Sequence, residues 1–240
     1  MPTADEVKAW YNQHYAEKGL QSMRPAESYP PFLDLLRTRP NAALLDVSCG
    51  AGSLLAAACA RHLRAVGIDL SDEAVRIARL VAPGADLTIG LAEALPFRSA
   101  TFDYVSCLGS LEHFLDIGAG LREMIRVAKP TARLCIMVPN AAFIGWRLLG
   151  HRGTAQQDVK EQLLTLSSWR RLFEEHGLDV LRVVPDRWHA VKWRSAPARG
   201  SGRRLLTGPV LEAAWRLLPL RWQYQFVFLL APRSTPPTSS

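Results

Sequence analysis

No two cysteines in this chain are spaced as Cys-x-x-Cys. The four present, Cys49, Cys59, Cys107 and Cys135, are spread over elements of one predicted core. That scatter excludes a disulfide framework and predicts reduced, mostly buried thiols of an intracellular protein. No apolar run reaches the roughly 18–20 residues needed to cross a bilayer. The start, Met1-Pro2-Thr3-Ala4-Asp5-Glu6, has neither a charged n-region nor an apolar h-region, so no secretory signal is read and a cytoplasmic location is expected. There is no internal repeat. Acidic residues are in deficit, 22 against 29 Lys and Arg, for a net charge of +7. Much of the imbalance is local. Between Arg182 and Arg204 the chain carries Arg182, Arg187, Lys192, Arg194, Arg199, Arg203 and Arg204 against Asp186 alone. Such a stretch is either a solvated basic loop or a face for an anionic partner.

What is present is a globular, enzyme-like composition, 48% hydrophobic, long enough for a full core in one domain. Helical periodicity covers Asp5–Lys18, and after Pro30-Pro31 a second helix runs through Phe32, Leu35 and Leu36. From Ala43 strands and helices alternate. Strands are predicted at Ala43–Val47, Ala65–Asp69, Asp86–Ile89, Phe102–Ser106, Arg133–Val138, Leu178–Val184 and Tyr224–Leu230. Helices are predicted at Ser53–Arg64, from the Ser71 cap to Val81, at Gly118–Ala128, and from a Ser167 or Ser168 cap to Gly177. This alternation predicts an α/β fold, a mostly parallel sheet covered by helices on both faces. Residues 1–232 are expected to form a single domain. Within it, 1–40 would be a helical lid, 41–140 a ligand-binding half, and 141–232 an acceptor-side half with an insertion at about 185–223. A disordered tail is expected at 233–240.

The chemistry concentrates where the first strand ends. Leu44-Leu45-Asp46-Val47-Ser48-Cys49-Gly50-Ala51-Gly52 is an apolar strand running into a small-residue turn and then a helix, and the next strand ends on Asp69. Glycines let backbone approach a ligand closely, and a carboxylate after the second strand accepts hydrogen bonds from ribose hydroxyls. A dinucleotide-binding fingerprint would place a third glycine at position 55, where this chain has Leu55. That residue argues against a pyrophosphate ligand.

Further segments then resemble the class I S-adenosylmethionine-dependent methyltransferases of the small-molecule, type 11-like group. Asp46–Gly52 is similar to the D-x-G-x-G-x-G motif, with Ser48 in place of its first glycine. Gly90-Leu91-Ala92-Glu93-Ala94-Leu95-Pro96-Phe97 resembles the G-D-A-x-x-L-P-F turn, Phe102-Asp103-Tyr104-Val105 the F-D-x-V strand, and Leu111-Glu112-His113 the L-E-H segment. Glu123–Pro130 resembles the E-x-x-R-V-L-K-P helix end. The resemblance covers about Leu44–Asn140. It implies a Rossmann-like, seven-stranded, mostly parallel sheet with an antiparallel last strand, and S-adenosyl-L-methionine as cofactor. It implies cofactor contacts from Asp46, Ser48, Cys49, Gly50, Gly52, Asp69, Leu70, Ala92, Glu93 and Leu108, with Tyr11 and Tyr15 closing over the ligand. Leu91 stands where the family has an acid for the adenine amino group. A serine at position 48 is expected to keep negative φ.

Methyl transfer is an in-line displacement that needs a dry pocket and, for a hydroxyl acceptor, a base. His113, His151 and His189 are the candidate bases. No metal set is read, and no Asn-Pro-Pro-Tyr segment follows the fourth strand, which argues against amino-group methylation of a flipped nucleic-acid base; nucleic acid is not the expected partner, though other RNA chemistry stays open. Phe143, Ile144 and Trp146, with Trp188, Trp193, Trp215, Leu217 and Leu218, suggest a greasy acceptor site or contact with anionic lipid through 187–220. The expected function is methylation of a small, hydrophobic metabolite, with O preferred over C or N. An RNA methyltransferase using the 182–204 stretch and a non-catalytic cofactor-binding module are the alternatives.

Overall fold

The computed structural model describes residues 2–146, 161–186 and 217–233. Seven strands form one sheet: β1 (Ala43–Val47), β2 (Arg64–Asp69), β3 (Asp86–Ile89), β4 (Phe102–Leu108), β5 (Ala128–Pro139), β6 (Leu178–Pro185) and β7 (Gln225–Pro232). Their order is β3-β2-β1-β4-β5-β7-β6. Pairing is parallel except that β7 runs antiparallel to both β5 and β6. The chain winds outward from β1 to β3, then restarts beside β1 with β4. Ligands of open α/β sheets sit at such a switch point, beyond the carboxyl ends of the strands.

Helices are α1 (Ala4–Lys18), α2 (Pro30–Leu36), α3 (Ser53–Ala60), α4 (Asp72–Val81), α5 (Ile117–Val127) and α6 (Leu166–Glu175). Every residue of β1 is buried, as a central strand covered on both faces requires. Leu45 and Val47 pack on one side with α5 and α6, and Leu44 on the other with α2 and α3. On the first side the Trp169 indole donates to Pro139 O at 2.9 Å, and Phe173 packs edge-on to Phe228 at 4.9 Å. The cysteines are all free, with Cys49, Cys107 and Cys135 buried.

Local differences from the sequence reading have physical causes. The prolines at 30 and 31 open α2 because the first turn of a helix has no use for their missing N–H. The α6 cap is Thr165, whose hydroxyl accepts from Ser168 N, so Ser167 and Ser168 lie inside the helix. α3 ends four residues early because His62 takes a left-handed φ of 58° and turns the chain toward β2. β5 begins directly at Ala128, with Pro130 inside it at a register shift opposite Phe102/Tyr104. Arg233 belongs to the ordered fold and not to the expected tail. Its N–H donates to Gly177 O at 2.7 Å and its guanidinium meets Asp179 at 2.9 Å.

Several motif residues turn out to be fasteners. Glu123 of α5 accepts from Leu95 N at 2.8 Å, and Arg126 donates to Leu95 O at 2.9 Å and to Phe97 O at 2.8 Å. Together they clamp the Leu95-Pro96-Phe97 turn. Lys129 pairs with Asp103 at 2.7 Å, and Asp103 also accepts from Ala43 N at 2.9 Å. That joins the starts of β1, β4 and β5.

Candidate active site

A cavity of about 480 Å³ opens at the carboxyl ends of the strands. Its floor comes from Ser48, Gly50, Ile68, Asp69 and Leu70, and one side from Gly90, Leu91, Ala92 and Glu93. Leu108, Gly109, Ser110, Glu112 and His113 after β4 continue the wall, and Tyr11, Tyr15, Met23, Arg24, Tyr29 and Tyr224 close over it.

Asp69 shows how the floor is built. One oxygen accepts from Gly50 N at 2.8 Å and the other from Ser71 N at 2.9 Å. The carboxylate, 9% exposed, is therefore held rigidly while each oxygen keeps lone pairs for a ligand. Burial pushes its pKa up, against those backbone bonds. Gly50 sits at φ 53°, and a Cβ there would lie 2.7 Å from the Tyr15 hydroxyl and 3.2 Å from Met23 Cε. The turn is thus left open by glycine and roofed by α1. α1 is positioned in turn by Asn12, whose Oδ1 accepts from Ser71 Oγ at 2.7 Å and from Glu73 N at 3.3 Å, and by Lys8 on Asp72 at 2.8 Å.

Ser48 departs from expectation. Its φ is +56°, not negative. The turn alternates left-handed positions at 48, 50 and 52, and the serine takes the first because the path from β1 into α3 demands it. Left-handed backbone with a Cβ costs roughly 1–2 kcal/mol. Ser48→Gly is therefore expected to raise the melting temperature by about 2–4 °C. Thermal unfolding followed by circular dichroism measures this, and a fall would contradict the strain.

Of the expected cofactor contacts, Ser48, Gly50, Asp69, Leu70, Ala92, Glu93, Leu108, Tyr11 and Tyr15 line the cavity. Asp46, Cys49 and Gly52 are not among the lining residues. Asp46 is buried and accepts from Ser106 Oγ at 2.7 Å, and burial raises its pKa to about 7. Cys49 faces the core beneath α2 and α3. A Cβ on Gly52 would lie 2.9 Å from the Ala78 Cβ, so this glycine lets α3 meet α4. Glu93 binds protein as well, accepting from Leu115 N at 2.8 Å and Asp116 N at 3.4 Å. Phe143 and Trp146 are buried against Tyr224 and do not line the cavity. His113 is buried in its wall, whereas His151, His189, Trp188, Trp193 and Trp215 lie outside the described residues. Among the described residues no three His, Cys, Asp or Glu converge on a metal-sized space.

Arg24 was not singled out from sequence. It donates to both oxygens of Asp186 at 2.9 and 2.8 Å and to Gln225 Oε1 at 2.9 Å. It thereby fastens the segment after α1 to the ends of β6 and β7. Nothing local signals a pairing of residues so far apart in the chain. Tyr11 and Tyr15 have phenols pushed upward chiefly by burial, next by the carboxylates of Glu112 and Asp69 respectively.

Residues 45–136 match the family model described as "Methyltransferase domain". The chain is 26% identical over 200 residues to a ubiquinone biosynthesis O-methyltransferase of Xylella fastidiosa, covering 76% of this chain and 79% of that one. It is 36% identical over 97 residues to a demethylmenaquinone methyltransferase of Chlorobaculum parvum, 40% of each. Among solved structures, the [4+2]-cyclase SpnF superposes with a TM-score of 0.70 over 98% of both chains at 17% identity, a likeness of fold alone. Sheet order and these matches support a class I S-adenosylmethionine-dependent methyltransferase. The matched methyltransferase domain spans β1 to β5.

Proposed function

We propose that this chain transfers the methyl group of S-adenosylmethionine to a hydroxyl of a small, hydrophobic metabolite, working as one methyltransferase domain. The observation that carries the reading is the pair Asp69 and Gly50 at the switch point. A rigid buried carboxylate stands beside a turn kept free of side chain, bordered by Ile68, Leu70 and Ala92. The residues fit the cofactor. Asp69 would accept the ribose hydroxyls, Ile68, Leu70 and Ala92 would flank the adenine, and the backbone from Ser48 to Gly50 would run under the methionine portion. Asp46, behind that turn, would add negative charge toward its ammonium. When bound, the cofactor supplies an electrophilic methyl on a sulfonium. The aromatic closure by Tyr11, Tyr15, Tyr29 and Tyr224 would exclude water and suit that cation.

The hydroxyl preference rests on the first relative above, an O-methyltransferase by its name. The decisive experiment is calorimetry with S-adenosylmethionine and S-adenosylhomocysteine, followed by mass spectrometry of a panel of catechols, quinols, amines and activated carbons incubated with the enzyme. A product heavier by one methylene from the hydroxyl compounds is the expected result. Methylation confined to amines would overturn the acceptor class.

A lipid-facing role for the 187–220 stretch is favoured by what borders it. Leu217 is 83% exposed, Trp222 is exposed, and the Arg221 guanidinium lies 4.8 Å over the Trp222 ring. Hydrophobic acceptors partition into membranes, and an interfacial aromatic–arginine pair would bring the enzyme to them. Sedimentation with anionic liposomes, weakened in Trp222→Ala, is the expected outcome, and no association in either protein would count against it.

A further inference from the structure

Three carboxylates of the cavity are accounted for by the protein itself. Asp69 is held by two backbone N–H groups, Glu93 by those of Leu115 and Asp116, and Asp186, at its edge, by Arg24. Glu112 is different. It lies in the single 3-10 turn Leu111–His113 after β4, lines the cavity and is 1% exposed. Its backbone carbonyl accepts from Gln162 N at 2.8 Å. Its side-chain Oε2, however, has no hydrogen-bond partner among the described residues. Among the described residues, the titratable groups that face it are Tyr11 from α1, Cys107 from β4, Tyr224 before β7 and Glu161, with His113 next in the turn. No cation among these neutralises it. A buried carboxyl oxygen without a donor weakens the fold, and a glutamine or leucine of similar size would serve packing better. Sites that sacrifice stability in this way are expected where the group meets a ligand.

We propose that Glu112 is a catalytic residue, the proton acceptor of the methyl-transfer step. The inference rests on the reading of the cavity as a methyl-transfer site. As the acceptor oxygen bonds to the methyl carbon, the sulfur–methyl bond breaks and its electron pair stays on sulfur, which becomes the thioether of S-adenosylhomocysteine. The hydroxyl proton passes to Glu112 Oε2, and the acceptor leaves as a methyl ether. The carboxylic acid then returns its proton to solvent when products leave and the cavity opens. Burial, with Glu161 adding to it, raises the pKa of Glu112 to about 8. A sulfonium cation in the same cavity favours the ionised form, so the base becomes available when the methyl donor is present.

The test compares the native enzyme with Glu112→Gln and Glu112→Asp, using catechol as the acceptor probe. Calorimetry with S-adenosylhomocysteine, kcat against pH, and denaturant stability at pH 6 and pH 9 are measured on each. In the native enzyme kcat should rise with pH and level off below about 8, the ligand-free value, because the bound sulfonium lowers the pKa. Glu112→Gln should bind S-adenosylhomocysteine with unchanged affinity, lose about 100-fold or more in kcat, and lose that rise. Glu112→Asp should keep the rise at a lower rate. At pH 9 Glu112→Gln should be more stable than the native enzyme, because an amide has no charge to bury. A Glu112→Gln enzyme with native kcat and native pH profile would overturn the proposal. So would one that is less stable at pH 9 and loses activity only in proportion to its unfolded fraction. Failure of the native enzyme to bind S-adenosylhomocysteine would overturn the methyl-transfer reading itself, and this inference with it.

Discussion

Asp69→Ala is expected to weaken binding of S-adenosylmethionine by about 100-fold or more, since a carboxylate accepting two ribose hydroxyls makes two charge-assisted bonds of roughly 1.5–3 kcal/mol each. The loss has a second source. The same carboxylate holds Gly50 N and Ser71 N, so its removal frees the turn under the ligand and loosens the start of α4. Asp69→Asn separates the two effects. It keeps one acceptor oxygen and most of the side-chain volume, and should lose about tenfold, one of the two bonds. Calorimetry on the three proteins, with circular dichroism as a check on folding, measures both. Native affinity in a folded Asp69→Ala protein would remove β2 from the cofactor site.

Without ligand, the protein is expected to lose stability as the pH is raised from about 5 to about 8. Asp46 is buried and its pKa is raised from the ordinary carboxylate value to about 7, chiefly by desolvation. Asp69 is shifted in the same direction by the same cause, and Glu112 reaches about 8. A carboxyl whose folded pKa lies above its unfolded value binds its proton more tightly when folded. Its contribution is complete below the unfolded pKa, near 4, and is lost as pH rises through the folded value. For Asp46 alone the difference is on the order of 4 kcal/mol. Asp103 and Glu123, ion-paired to Lys129 and Arg126, are shifted downward. Their contribution is present above about pH 4 and lost only in acid, outside this window. Denaturant unfolding at pH 5 and 8 should show the decline in the native protein and a smaller decline in Asp46→Asn. Stability that rises across this interval would refute the assignment. A ligand carrying ammonium and sulfonium charges should reverse the trend, because it favours the ionised carboxylates.

Much of this was legible because the informative signals are local. The strand-to-turn pattern at Leu44–Gly52, the carboxylate of Asp69 and the period of α4 and α5 each depend on neighbours in sequence. The seven strands are each read from their own apolar runs, and the antiparallel last strand is what the family resemblance implies. The misplaced details depend on contacts that sequence neighbours do not encode. Whether Thr165 or Ser167 caps α6 turns on a one-residue difference in where the chain leaves the extended conformation. The left-handed Ser48 reflects a path imposed by α3 docking against α4, which overrides the preference of a residue with a Cβ. Asp46, Cys49 and Gly52 of the same motif do not line the cavity; they lie behind the turn, against Ser106, the core and Ala78. In sequence Glu112 is only the middle residue of the Leu111-Glu112-His113 segment, with no neighbour that marks its burial. Only the three-dimensional setting reveals a buried carboxyl oxygen without a hydrogen-bond partner among the described residues.

The two ends of the chain between β6 and β7 meet. Asp186 N donates to Gln225 O at 3.1 Å, and Arg24 grips both side chains. Whatever is inserted there departs from and returns to one fastened point at the rim of the cavity, without altering the register of either strand. The entropy of closing such an excursion grows only slowly, by about 0.6 kcal/mol for each doubling of its length. The rim can therefore exchange one connecting segment for another at little thermodynamic penalty, while the sheet beneath it stays unchanged. A single scaffold of this kind is open to diversification of substrate by insertion and deletion, in addition to point substitution.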